Sequence, residues 1–194
     1  MRSEPEVASG VLFHLVGNRR EILVDVSEVR DNVVVRRAEP FDAAALVTLQ
    51  RQIYREERWF VGDGPPSEAS LAQRLRAVDP KSSLWLVAGD QRQLWGWLEL
   101  HRLAPARLRH VATLTLAVSP TRRRRGVGSA LLEGGYSWAR GVGVRKISLN
   151  VRAGNVGAIG LYQEEGFVLE GRERDQIRTR EGYEDNLIMA KFID

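Results

Sequence analysis

VSPTRRRRGVGSALL, residues 118–132, is the most informative stretch of the chain. An apolar run ends at Val118, Pro120 stops it, four arginines follow, and Gly126 and Gly128 open an apolar helix. The first turn of a helix has N–H groups without partners and the positive end of the dipole, so it is a ready anion site. Glycine at 126 and 128 lets those amides approach a phosphate with no side chain between, and Arg122, Arg123, Arg124 and Arg125 add charge beside them. A solvated basic turn with glycines for packing has the same local sequence, so the flanking elements must separate the two.

Upstream, residues 84–88 form a short apolar run and residues 94–101 alternate. The alternation predicts Trp95, Trp97, Glu99 and His101 on one face of a strand, and Leu94, Leu98 and Leu100 on the other. Residues 109–118 alternate again. Downstream, the pattern predicts a helix over about 126–140, a strand over 146–151 and a second helix over 155–165, closed by Gly166 in a left-handed cap. Strand, helix, strand, helix after residue 109 implies α/β architecture with a partly parallel sheet covered by helices. Earlier still, residues 33–37 read as a strand and 41–57 as a helix, with Asp42 serving its first turn. A Gly- and Pro-rich loop over 62–66 precedes a helix capped by Ser67 and running through Val78. Residues 167–170 and 186–190 read as closing strands around a long charged linker. Residues 11–16 and 22–26 suggest a hairpin with a Gly17-Asn18 turn.

The chain of 194 residues fits one domain. It has no cysteine and its three histidines fall at no metal-ligand spacing, so disulfides, thiolate sites and a bound metal are not expected. No apolar run spans a membrane or forms a signal peptide, which predicts a cytoplasmic protein with no membrane partner. Of 29 basic residues only Lys81, Lys146 and Lys191 are lysine, and the net charge is +4. Arginine suits bidentate phosphate contacts, which serves a nucleic acid or a phosphate-bearing small molecule equally. The densest cluster sits at a helix start rather than spread over a face with stacking aromatics, so nucleic acid is not the expected partner.

Arg123, Gly126 and Gly128 fill the places of the R-x-x-G-x-G/A signature of the GCN5-related N-acetyltransferase (GNAT) superfamily, which the chain resembles. NVGAIGLYQEEGF, residues 155–167, resembles the second signature of the same superfamily, N-x-x-A-x-x-L-Y-x-x-x-G-F. The two lie about thirty residues apart, in order and on the right elements. Arg109–Ala112 and Gly182–Asp185 resemble the branch acting on amino acids and small amines. The resemblance covers residues 33–194 as an acetyltransferase domain. Residues 1–32 remain an extension whose open roles are an edge hairpin, a dimerisation element that would make a homodimer, or a flexible arm.

The resemblance implies a sheet of about six or seven strands flanked by about four helices, with its fourth and fifth strands splayed, and acetyl-coenzyme A as co-substrate. It assigns residues 114–118 and 146–151 to the splayed pair, with backbone around Leu116, Ala117 and Val118 holding the pantetheine arm. Arg123, Arg124, Arg125, Gly126, Val127, Gly128 and Ser129 would take the pyrophosphate, Asn155 would make a polar contact with the cofactor, and Asn150 and Ala158 would border it. Tyr162 would be the general acid that protonates the departing thiolate. Asn155 also suits an N-cap and Tyr162 a core aromatic. Some relatives carry a glutamate on the strand before the phosphate loop; here Thr113 and Thr115 stand there, so Glu99, directly or through water, or His101 is left as base. Glu56, Glu57, Trp59 and Phe60 combine acid and aromatic character as a cationic amine would require, with Tyr183 and Asp185 facing them. Three functions stay open: acetylation of a small-molecule amine such as an amino acid, acetylation of a protein N-terminus of the ribosomal-protein kind, and a non-catalytic acyl-coenzyme A sensor.

Overall fold

The computed structural model describes residues 11–16 and 19–24 at the level of their backbone, and residues 33–56, 58–62, 64–90 and 92–194 in full. Nine strands and four α-helices follow in the order β1 (Val11–Val16), β2 (Arg19–Val24), β3 (Val34–Arg37), α1 (Ala43–Tyr54), α2 (Glu68–Arg76), β4 (Ser83–Gly89), β5 (Leu94–Arg102), β6 (Val111–Val118), α3 (Val127–Gly141), β7 (Lys146–Arg152), α4 (Val156–Glu164), β8 (Val168–Thr179) and β9 (Gly182–Phe192) among the described residues. β1 and β2 form a two-stranded antiparallel sheet, from Val11 opposite Val24 to Val16 opposite Arg19, so the second strand begins three residues before the expected Ile22. The Gly17-Asn18 turn lies outside the described residues. The other seven strands form one sheet in the order β3-β4-β5-β6-β7-β9-β8. No helix among the described residues is long and apolar enough to cross a membrane.

Two apolar cores sandwich this sheet. On one face α3 and α4 cover Leu84, Leu98, Leu100, Leu114 and Ile147. On the other, α1 and α2 bury Leu46, Ile53 and Leu71 against Trp85, Val87 and Trp97. The helix starts follow local chemistry. Ser67 Oγ accepts from the Ser70 N–H at 3.2 Å, and Asp42 accepts from the Glu39 N–H at 2.8 Å while pairing with Arg36.

The strict alternation expected along residues 94–101 fails at one point. Ala88 opposes Gly96 but Gly89 opposes Leu94, so Trp95 is the extra residue of a β-bulge. The bulge moves Trp95 into the core under α3, while Trp97 stays in the core under α1 and α2. It also brings Trp95 under the Arg122 guanidinium, 4.2 Å from the ring centroid.

The largest departure from the sequence pattern is the end of the chain. The expected charged linker is the body of a long antiparallel hairpin, β8 with β9, at the edge of the sheet. β8 is the outer strand and most of its residues are exposed, so no apolar period marks it. Its register slips twice, between Leu169 and Gly171 and between Glu173 and Ile177. Asp175 sits at the second slip with φ 50°.

α3 lies close to the sheet because two of its residues lack side chains. A Cβ on Gly134 would stand 2.8 Å from Leu86 Cδ1, and one on Gly135 3.2 Å from Leu100 Cδ1. The same inference does not extend to α4, where a Cβ at Gly157 or Gly160 meets nothing within 4 Å. Gly134→Val is therefore expected to destabilise the fold by about 2 kcal/mol through overpacking. Gly160→Ala is expected to stabilise it by up to about 1 kcal/mol through helix propensity. Denaturant unfolding midpoints at constant slope check both.

Candidate active site

β6 and β7 run parallel but share only three rungs: Val111 with Lys146, Ala112 with Ile147 and Thr113 with Ser148. Beyond Thr113 the strands part. β6 stays on β5 as far as Val118 opposite Gly96, and β7 stays on β9 as far as Arg152 opposite Asn186. A wedge opens between them, and strand parity says which groups line it. The Ser119 N–H bonds Trp95 O and the Leu103 N–H bonds Val111 O, so odd-numbered residues of β6 turn their polar groups toward β5. Leu116 and Val118 therefore turn theirs into the wedge. On β7 the Ala153 N–H bonds Asp185 O and Ile193 bonds Arg145 O, so Asn150 and Arg152 face the wedge from the other side. The expected splay is present.

At the head of the wedge stands the arginine–glycine turn. Arg124 has φ 59° and Gly126 has φ 78°, a left-handed conformation that glycine adopts without penalty. Gly126 is the N-cap of α3, and the Ala130 N–H bonds its carbonyl at 3.0 Å. The N–H groups of Val127, Gly128 and Ser129 consequently have no partner inside the helix. α4 meets the same turn, since a Cβ at Gly128 would lie 2.8 Å from Leu161 Cδ2. Amides at a dipole end, in a turn of left-handed residues, suit a pyrophosphate.

These walls enclose a cleft of about 2270 Å³. Leu116, Ala117, Val118, Arg123, Arg124 and Gly126 line it, as do Gly128, Ser129, Asn150, Asn155 and Ala158. Arg125 and Val127 are not part of the wall, and the Val127 side chain is in the core at 1% exposure. Asn155 caps α4, its Oδ1 accepting from the Ala158 N–H at 3.2 Å, and still borders the cleft. Asn150 Oδ1 accepts from Asn186 Nδ2 at 3.2 Å.

Tyr162 borders the cleft from α4 with 6% of its surface exposed and its ring 5.4 Å from that of Phe167. Burial pushes its hydroxyl pKa well above the usual tyrosine value. The proton is thus held throughout the neutral range.

The two candidate bases sit together. His101 Nε2 lies 3.2 Å from Glu99 Oε2, and Arg74 of α2 lies 3.7 Å from the same oxygen. The pair is not part of the cleft wall; Thr115, which is, stands across the strand pair from Glu99.

The expected acceptor residues divide. Trp59 and Tyr183 line the cleft. Glu56 instead receives both terminal nitrogens of Arg123, at 2.9 and 2.5 Å. Its charge is therefore neutralised rather than offered to a cationic amine. Asp185 does not line the cleft. Its carboxylate accepts from Asp175 N–H and Arg172 Nε, which hold it below the usual range and pin the β8 bulge. Its neighbour Glu184, missed in the sequence, does line the cleft. Burial alone would raise Glu184, but bonds from Arg152 and the Gly154 N–H outweigh it and keep the carboxylate low. The two adjacent acids project from opposite faces of β9, which the unmarked register of β8 and β9 concealed. Glu57 lies outside the described residues.

A family model described as the acetyltransferase (GNAT) family matches residues 46–167. The [ribosomal protein bS18]-alanine N-acetyltransferase of Escherichia coli strain K12 is 42% identical over 80 residues, 41% of this chain and 54% of that protein. The chain thus spans about half the length of that relative. The L-amino acid N-acetyltransferase AaaT of the same organism is 30% identical over 166 residues, 82% of this chain and 97% of that protein. Among solved structures, an acetyltransferase of the GNAT family from Streptococcus pneumoniae has a TM-score of 0.77 and 29% identity, covering 84% of this chain and all of that one. Arginine–glycine turn, splayed strands and tyrosine on α4 accord with that match, and the chain belongs to the GNAT acetyltransferase family.

Proposed function

We propose that this protein moves an acetyl group from acetyl-coenzyme A directly to the primary amine of a small molecule such as an amino acid, within a ternary complex. The observation that carries this reading is the convergence of three features on one cleft: inward amides on β6, the amides opening α3, and the side of α4 that bears Tyr162. The donor supplies a thioester carbonyl and a thiolate leaving group; everything else falls to the chain. The N–H groups of Leu116 and Val118 stabilise charge that develops on the carbonyl oxygen. Arg124 and the α3 amides hold the pyrophosphate. Tyr162 gives its proton to the departing sulfur. Glu99, backed by His101, draws the ammonium proton through water past Thr115. Residues 33–194 form the catalytic domain in this reading, with residues 1–32 appended to it.

A second reading, acetylation of a protein N-terminus, is favoured by one observation. The cleft continues along the β8–β9 hairpin, where Glu173, Gln176, Arg178 and Tyr183 line it beyond the residues around Tyr162. The similarity to a ribosomal-protein acetyltransferase points the same way. Free-thiol release from acetyl-coenzyme A, measured against L-amino acids, polyamines and alanine-initiated peptides, separates the readings. Turnover is expected with amino acids. Turnover confined to peptides selects the second reading, and acetyl-coenzyme A binding with no thiol release under any acceptor leaves a sensor.

A further inference from the structure

Glu56 sits in the turn that ends α1, its N–H bonded to Ile53 O at 3.1 Å. Its carboxylate takes both terminal nitrogens of Arg123 and also the Trp59 indole N–H, at 3.1 Å. The remaining nitrogen of Arg123, Nε, donates to Val118 O at 3.1 Å. One guanidinium therefore joins the end of β6 to the end of α1. Four residues before Glu56, Gln52 Oε1 accepts from the Ser119 hydroxyl at 3.4 Å. Gln52 and Glu56 face one side, Ser119 and Arg123 the other, each pair four residues apart.

These contacts dock the loop between β6 and α3 onto the segment that carries Trp59 and Phe60. Phe60 in turn stacks on Tyr54 and Trp97 at centroid distances of 5.1 and 5.9 Å, so the segment cannot shift alone. A bidentate guanidinium–carboxylate pair fixes orientation as well as distance. Its members keep 37% and 21% of their side-chain surface, so screening makes the pair a minor contributor to global stability. The pair bridges the segments that carry Trp59 and Arg123, both of which border the cleft.

We infer that Glu56 is a positioning residue: through Arg123 it sets the Trp59 segment against the acyl-donor loop, coupling acceptor binding to the donor site. The inference rests on the acetyltransferase reading, in which these two loops serve acceptor and donor. It also reassigns two residues. Glu56 acts on Arg123 and Trp59 rather than on the amine, and Arg123 acts as a strut rather than chiefly as a phosphate ligand.

The test uses the full-length wild type, Glu56→Gln, Glu56→Asp, Arg123→Gln and the double variant Glu56→Gln/Arg123→Gln. The acceptor is the amino acid or alanine-initiated peptide that the wild type turns over. Glu56→Gln is expected to raise the acceptor KM about tenfold at saturating acetyl-coenzyme A, while acetyl-coenzyme A affinity without acceptor changes about twofold or less. Glu56→Asp should recover part of the loss. The double variant should be no worse in acceptor KM than Glu56→Gln, because both substitutions break one link. Unchanged acceptor KM in Glu56→Gln, or effects of the two substitutions that simply add, overturns the inference. Absence of thiol release by the wild type overturns instead the acetyltransferase reading. Equal melting temperatures across the set identify any KM change as local.

Discussion

Gly126→Asp is expected to reduce affinity for acetyl-coenzyme A by two orders of magnitude or more, measured by titration calorimetry on the folded variant. Two effects act together. Gly126 occupies φ 78°, where an aspartate costs about 1 kcal/mol. The new carboxylate also stands at the dipole end, among the amides of Val127, Gly128 and Ser129 that would meet the pyrophosphate. An anion placed there competes for those donors and repels the ligand. Leu131 and Leu132 keep α3 packed in the core, so the loss should appear mainly in binding rather than in melting temperature. Full retention of affinity would place the pyrophosphate elsewhere.

Tyr162→Phe is expected to lower kcat by about a hundredfold or more with little change in either KM, the signature of an interaction made only in the transition state. The ring is buried against Phe167, so removing one oxygen leaves the packing intact. Because burial raises the hydroxyl pKa, the group remains protonated well beyond neutral pH. Any alkaline fall in wild-type kcat near pH 8 to 9 therefore belongs to another group. An acid with a raised pKa loses its proton at higher pH, and activity depending on that proton is lost at higher pH too. A variant with unaltered kcat would leave Tyr162 as a core aromatic.

The sequence showed some parts of this site better than others, for physical reasons. Turn chemistry is local, so Ser67, Gly126, Asn155 and Gly166 declared the ends of their helices directly. The phosphate turn was legible because an anion site built from backbone needs glycine at fixed places. Pairings that span the fold left no such mark. Glu56 and Arg123 are 67 residues apart, and neither residue type predicts the other. The charge on Glu56 therefore read as an offer to an amine until the fold supplied a nearer cation. β8 was hidden because an edge strand wet on both faces has no apolar period. Trp95 was assigned to the wrong face because one extra residue in a strand reverses every parity before it.

β8 leaves twelve residues along an open margin of the sheet, the kind of border along which chains add to one another into aggregates. Asp175 turns left-handed in the middle of that border, and Asp185 holds it there through its N–H. No straight run of donors and acceptors survives for an incoming strand to match, and the flanking Arg172, Glu173 and Arg174 keep the border charged. The acid first read as a substrate contact thus holds the kink that interrupts this border.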